Sequence, residues 1–427
     1  MESEHRLTRL PGGLRIVTER MPSVRSVALG FWIATGSRAE APEQAGLSHV
    51  LEHLLFKGSS RYASLEIDQI FDEMGAELNA GTGKETTSVS SRVLDVHAGR
   101  AIDVMADMVF RPAFRDVDAE REVILEEIAM YEDDPQDKVF DVLGEAVFGA
   151  HPLGRPIIGR REVIADTPVD QIAAFHRARY GPQSIVVAAA GSVDHDALVS
   201  QVAELVDGGG APPGDLPPEP EGFGEGPRMR FERKGTEQYH VCLGGLGLAR
   251  DDDRRFALRV LDNVLGGTSS SRLFQEIRER RGLAYAVYSF ASHYAGTGQV
   301  GLYVGTRGEH LAESLRIVAA ELERLQDEPA TPDELARAKE NVKGRLVLSL
   351  ESTTTRMNRL GASVLTAVPL LSVDELIERV DAVSLDDLRA LAAELWPTGQ
   401  LSAAGIGPDE QLFRAALSPV GMQAAAA

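Results

Sequence analysis

A single cysteine, Cys242, stands among the 427 residues of the chain. It excludes a disulfide within the chain and any zinc site built on several thiolates. It lies in the apolar run Val241-Cys242-Leu243 and is expected to pack as a small hydrophobe. Long hydrophobic runs are also lacking. No apolar stretch approaches the roughly 18 residues of a membrane span, and the run Val27 to Ile33 suits a buried strand. The N-terminal segment MESEHRLTRLPGG mixes acids with bases around no apolar core, so neither a secretory signal nor a transit peptide is expected. The expected compartment is cytoplasmic. Positive charge is scarce as well: 44 Lys and Arg face 65 Asp and Glu, a formal net charge of −21. Nucleic acids and anionic membranes are held by basic patches, so neither is an expected partner.

What is present is ordinary globular composition, 43% hydrophobic and 26% charged. At roughly 150 residues per domain the length predicts two or three domains. The stretch from Asp207 to Pro227 is rich in Gly, Pro and acids and can form neither helix nor ladder. It divides the chain into domains over 1–206 and 229–427, with a linker over 207–228. The halves repeat one plan. In the first, a strand hairpin precedes a helix around His49 to Phe56. A strand pair over Glu77–Leu94 follows, then helices at Gly99–Phe110 and Asp118–Tyr131 and a strand over Ser184–Ala190. In the second, strands over Met229–Leu248 precede a helix at Arg254–Leu265. Strands near Tyr285–Ser292 and Gly298–Gly305, helices at His310–Gln326 and Pro332–Ser349 and a strand near Leu401–Ile406 complete it. This order predicts an α+β fold of two homologous domains, each a mainly antiparallel sheet with helices packed on one face.

The segment Gly46-Leu-Ser-His49-Val-Leu-Glu52-His53-Leu-Leu-Phe56 has helical periodicity, with Ser48 as candidate N-cap. His49 and His53, at i and i+4, share one face and can bind one zinc ion. Glu52 points to the same face, where a carboxylate can take a proton from water that zinc has made acidic. The pattern H-x-x-E-H is the inverzincin signature. Catalytic zinc needs a third protein ligand. The segment from Asp118 to Tyr131 offers Glu120 and Glu127 on one helical face, and spacing alone leaves Glu126 and Glu127 both open. The corresponding helix of the second half, Phe256 to Asn263, carries no such motif, so one zinc per chain is expected. The acidic run Glu132-Asp-Asp-Pro135 is expected to be a solvated loop.

With these residues the chain resembles, over essentially its whole length, the pitrilysin/insulinase metallopeptidases, specifically their short, mitochondrial-processing-peptidase-like members. The resemblance matches His49, Glu52 and His53 to the zinc and base residues. Through the E-x6-E element it selects Glu127 as third ligand and Glu120 as the carboxylate that orients the site. Leu78-Asn79-Ala80 looks like the family's substrate-binding edge strand, which holds extended peptides by main-chain hydrogen bonds. Arg278 and Tyr285 look like its R-x6-Y pair, implied to contact the substrate and stabilise the oxyanion. The resemblance thus implies a zinc-dependent endopeptidase acting on peptides or unfolded segments. It also implies a homodimeric clamshell in which Arg278 and Tyr285 act on the partner's zinc site. The other reading is a catalytically silent partner subunit, or an active subunit of a heterodimer.

Overall fold

The central strands of the first half are apolar almost throughout, and successive side chains point to opposite faces. Val27, Leu29, Phe31 and Ile33 enter one core, while Ala28 enters another. The computed structural model describes residues 5–206, 214, 216–220, 222–223 and 226–421. It separates into two compact units, each holding one sheet.

The first unit comprises Met1–Ala129, Arg155–Glu219 and Val347–Ser372. Its strands are β1 (His5–Arg9), β2 (Arg15–Arg20), β3 (Ser26–Ile33), β4 (Glu77–Thr82), β5 (Thr87–Leu94) and β6 (Ile185–Gly191). Their order is β1-β2-β6-β3-β5-β4, antiparallel except for the β2/β6 pair. The larger core lies under helices α1 (Leu47–Leu55), α2 (Ser64–Glu73), α3 (Ala98–Phe110) and α4 (Val117–Asp133). The second face is covered by the helix Thr353–Thr366, whose Met357 and Leu360 are fully buried against Val17, Val186 and Ala188. Each such side chain contributes roughly 1.5–3 kcal/mol on burial. Close approach depends on Gly361, since a Cβ there would stand 2.2 Å from the Trp32 ring.

The second unit comprises Met130–Gly154, Pro220–Leu346 and Val373–Ala427. Its strands β7 (Met229–Arg233), β8 (Gln238–Gly247), β9 (Ala284–Tyr294), β10 (Thr297–Arg307) and β11 (Ser402–Gly407) lie in the order β7-β11-β8-β10-β9. One face carries the helix Arg255–Leu265, tied by the Ser289 hydroxyl donating to Asp262 at 2.5 Å. The other is covered by α5 (Pro135–Phe148), with Val139 and Leu143 packed on Cys242, Tyr303 and Ala404. Cys242 is buried as a small hydrophobe, and burial pushes its thiol well up.

The α+β class and the mainly antiparallel sheets expected from element order are found. Each sheet carries in addition a helix on its second face, and both of these helices are exchanged. Helix α5 lies in the first half of the sequence but belongs to the second unit, and Thr353–Thr366 does the reverse. The compact units therefore do not follow the contiguous boundaries 1–206 and 229–427. Much of the segment 207–228 lies outside the described residues. The run Glu132–Pro135 is not a loop: α4 runs to Asp133, and Asp134 caps α5 by accepting from the Gln136 and Asp137 N–H groups. Asp at the N-cap with Pro at the first helical position is a helix start. Among the described residues no helix is long and apolar enough to cross a membrane.

Candidate metal centre

Helix α1 buries Leu47, Val50, Leu51, Leu54 and Leu55 in the first core, which leaves residues 49, 52 and 53 on its remaining face. His49 is 8% exposed, while Glu52 and His53 are half-buried. The helix begins two residues earlier than a Ser48 cap would require. Gly46 is the N-cap, with φ +107°, and has no side chain to offer. The carboxylate of Glu40 fills that role: the Gly46 N–H donates to Oε2 at 2.8 Å and the Ser48 N–H to Oε1 at 2.7 Å. Free N–H groups and the positive end of the helix dipole both favour an anion there.

Helix α4 buries Val117, Glu120, Arg121, Ile124 and Ile128, and it is anchored by Arg121 donating to the Ala165 carbonyl at 2.9 Å. Glu127 extends to the face of α1. His53 Nε2 stands 3.2 Å from Glu127 Oε2 and 3.2 Å from His49 Nε2, and His49 Nε2 stands 3.6 Å from Glu127 Oε2. These ligand atoms lie within 4.8 Å of one another, the one such group among the described residues. Glu126 is not in it. Burial, then the neighbouring His53, lowers the pKa of His49 below its ordinary value, against Glu127 and Glu52, which raise it.

Glu120 and Lys57 complete the surroundings. The buried Glu120 accepts from His53 Nδ1 at 2.8 Å, and its other oxygen pairs with Lys57 Nζ at 2.7 Å. A carboxylate accepts only, so a neutral His53 carries its proton on Nδ1 toward Glu120 and turns the Nε2 lone pair toward Glu127. Two acceptors so placed fit a cation, and a His-His-Glu donor set with an outer carboxylate on one imidazole suits zinc.

Strand β4 is an edge, paired through Asn79 to Ser90 and Ala80 to Val89 with β5 alone. It touches α1 where the Thr82 hydroxyl reaches the Ser48 carbonyl at 3.5 Å. The Ala80 N–H donates to the side-chain oxygen of Asn79 at 2.9 Å. In the second unit, Arg278 lies in the last turn of the helical segment Phe274–Glu279 and Tyr285 is the second residue of β9. The guanidinium lies 4.4 Å from the centre of the Tyr285 ring, and this tyrosine is 77% exposed. The structure thus gathers His49, His53, Glu127 and Glu120, and separately pairs Arg278 with Tyr285. Glu40 and Lys57 are additions that sequence reasoning missed. The signal for Glu40 was a helix start at Gly46 with no capping side chain, and an acid six residues upstream.

Comparison with known proteins gives this geometry a lineage. The family model described as insulinase, peptidase family M16, matches residues 15–161, and the peptidase M16 inactive domain matches residues 167–342. An uncharacterized zinc protease of Streptomyces coelicolor is 45% identical, over 96% of this chain and 91% of its own length. Uncharacterized zinc proteases of Mycobacterium tuberculosis (42%, covering 94% and 93%) and Bacillus subtilis (41%, covering 90% and 94%) are similar too. Among solved structures, a protease from Helicobacter pylori matches with TM-score 0.87 at 22% identity, covering 96% of this chain and 100% of that one. A peptidase M16 inactive domain from Pseudomonas fluorescens matches with TM-score 0.87 at 22%, covering 95% and 98%. At that identity the structural likeness speaks to the fold alone. On the family models and the curated relatives together, the chain belongs to the insulinase family of peptidases, family M16.

Proposed function

We propose that the chain is a zinc-dependent endopeptidase acting on peptides or unfolded segments. The observation that carries this reading is the convergence of His49, His53 and Glu127 beside Glu52. Held by those three residues, zinc supplies Lewis acidity, which polarises a peptide carbonyl and makes water a better proton donor. Glu52 takes the proton of the attacking water at its carboxylate and returns it to the departing amine nitrogen. Glu120 holds the His53 proton on Nδ1, which keeps that ring in the ligating tautomer. The open edge at Asn79 and Ala80 receives an extended peptide once the Asn79 side chain releases the Ala80 N–H. Arg278 and Tyr285 direct a positive charge and a phenol at the negative charge developing on the carbonyl oxygen.

The purified chain should hold about one zinc and cleave internally quenched peptides in a chelator-sensitive manner. Absence of both metal and cleavage would instead favour a silent partner subunit. The pairing into homodimers is part of the same proposal and rests on the resemblance to short family members. Mixing Glu52→Gln chains with Tyr285→Phe chains should then recover activity. No recovery in confirmed mixed dimers would place the site within one chain.

A further inference from the structure

We infer that Glu40 is a positioning residue for the metal-binding helix: gripping the first turn of α1 with both carboxylate oxygens, it sets where His49 and Glu52 stand. The inference rests on the metal-centre reading above. Helix α1 is nine residues long, and its first N–H groups have no partner within the helix. Glu40 reaches them from across the short turn Pro42–Gln44. It is 1% exposed, and its two oxygens are each taken by one N–H group, at 2.8 and 2.7 Å. Ser48, the second residue so held, is the immediate neighbour of His49, and Glu52 follows one turn later.

Glu40 is itself fixed. Arg155 donates from Nη2 to the Glu40 backbone carbonyl at 2.6 Å and to the Ser37 carbonyl at 3.3 Å. From the other side the backbone of Gly159 approaches so closely that a Cβ on Gly46 would stand 2.9 Å from its Cα. The start of α1 is therefore clamped by a carboxylate and by a neighbouring backbone.

This is an expensive way to cap a helix. Burial raises the Glu40 carboxyl to about 7, against the opposing effects of the two N–H groups and Arg155, so the pocket disfavours the charge it holds. A serine or aspartate at the N-cap has no room here, since a Cβ on Gly46 would crowd Gly159, and it would reach the Ser48 N–H but not the N-cap's own. What the distant carboxylate adds is a two-point hold from a buried anchor. Metal-site geometry tolerates only about 0.5 Å of misplacement.

Glu40→Gln tests this, because an amide can accept from only one of the two N–H groups. Zinc affinity, read by competition with a chromophoric chelator, should fall about 10-fold, the scale of changes behind metal ligands. The kcat should fall with it while KM is unchanged, and the metal-free protein should melt no lower than wild type. Glu43→Gln, which removes an exposed acid from the same turn, should change none of these. If Glu40→Gln does not fold, Glu40→Asp, one methylene short of the N–H groups, should show the same split. Wild-type zinc affinity and kcat in either folded variant would overturn the role of Glu40 alone. A wild-type chain that binds no zinc would overturn the metal-centre reading, and this inference with it.

Discussion

Glu52→Gln should retain zinc and lose cleavage. The substitution preserves the shape of the side chain and the periodicity of α1, and Glu52 is outside the His49, His53 and Glu127 group, so metal content should stay near one per chain. What disappears is the carboxylate that accepts and returns the proton. General base contributions are on the order of 10²–10⁴ in rate. The expected result is therefore a fall in kcat of at least 100-fold with zinc still bound. Turnover near the wild-type rate would remove Glu52 from the base role, and loss of zinc would mean that it helps to hold the metal.

The second large effect concerns the third ligand. Glu126 and Glu127 are adjacent carboxylates on α4, but only Glu127 reaches the two imidazoles, 3.2 Å from His53 and 3.6 Å from His49. Zinc affinity measured by chelator competition should fall in Glu127→Gln well beyond the roughly 10–100-fold typical of changes behind the ligands. In Glu126→Gln it should scarcely move. The reverse ranking would mean that the helix presents a different face to the metal than the one described.

Much of this site was legible in the sequence because helical periodicity places residues 49, 52 and 53 on one face without tertiary information. Spacing alone left Glu126 and Glu127 both open and only the family resemblance chose Glu127, since the choice depends on how α4 is rotated against α1. That rotation is set by Val117, Ile124 and Ile128 entering the core and by Arg121 reaching a carbonyl more than forty residues away. Strand β5 was legible by its alternation, and β3 and β6 as short continuous apolar runs. The start of helix α5 lies in an acidic run before a proline, a composition that reads as a loop, although Asp134 and Pro135 begin a helix. The helix Thr353–Thr366 opens on three threonines and hides its buried Met357 and Leu360 behind a polar start. Glu40 escaped because caps are sought at the helix start, and this one arrives from six residues upstream.

The exchange of covering helices means that the two halves cannot be parted at the segment between them. A chain cut near residue 206 would keep α5 with no sheet to cover, and would leave Val17, Ala28, Val186, Ala188 and Ala190 bare for want of Met357 and Leu360. Such a fragment retains every proposed zinc ligand but exposes a flat apolar sheet, a surface that invites aggregation. The second half carries no H-x-x-E-H of its own, yet it is indispensable, because it supplies the helix that covers the first half's sheet.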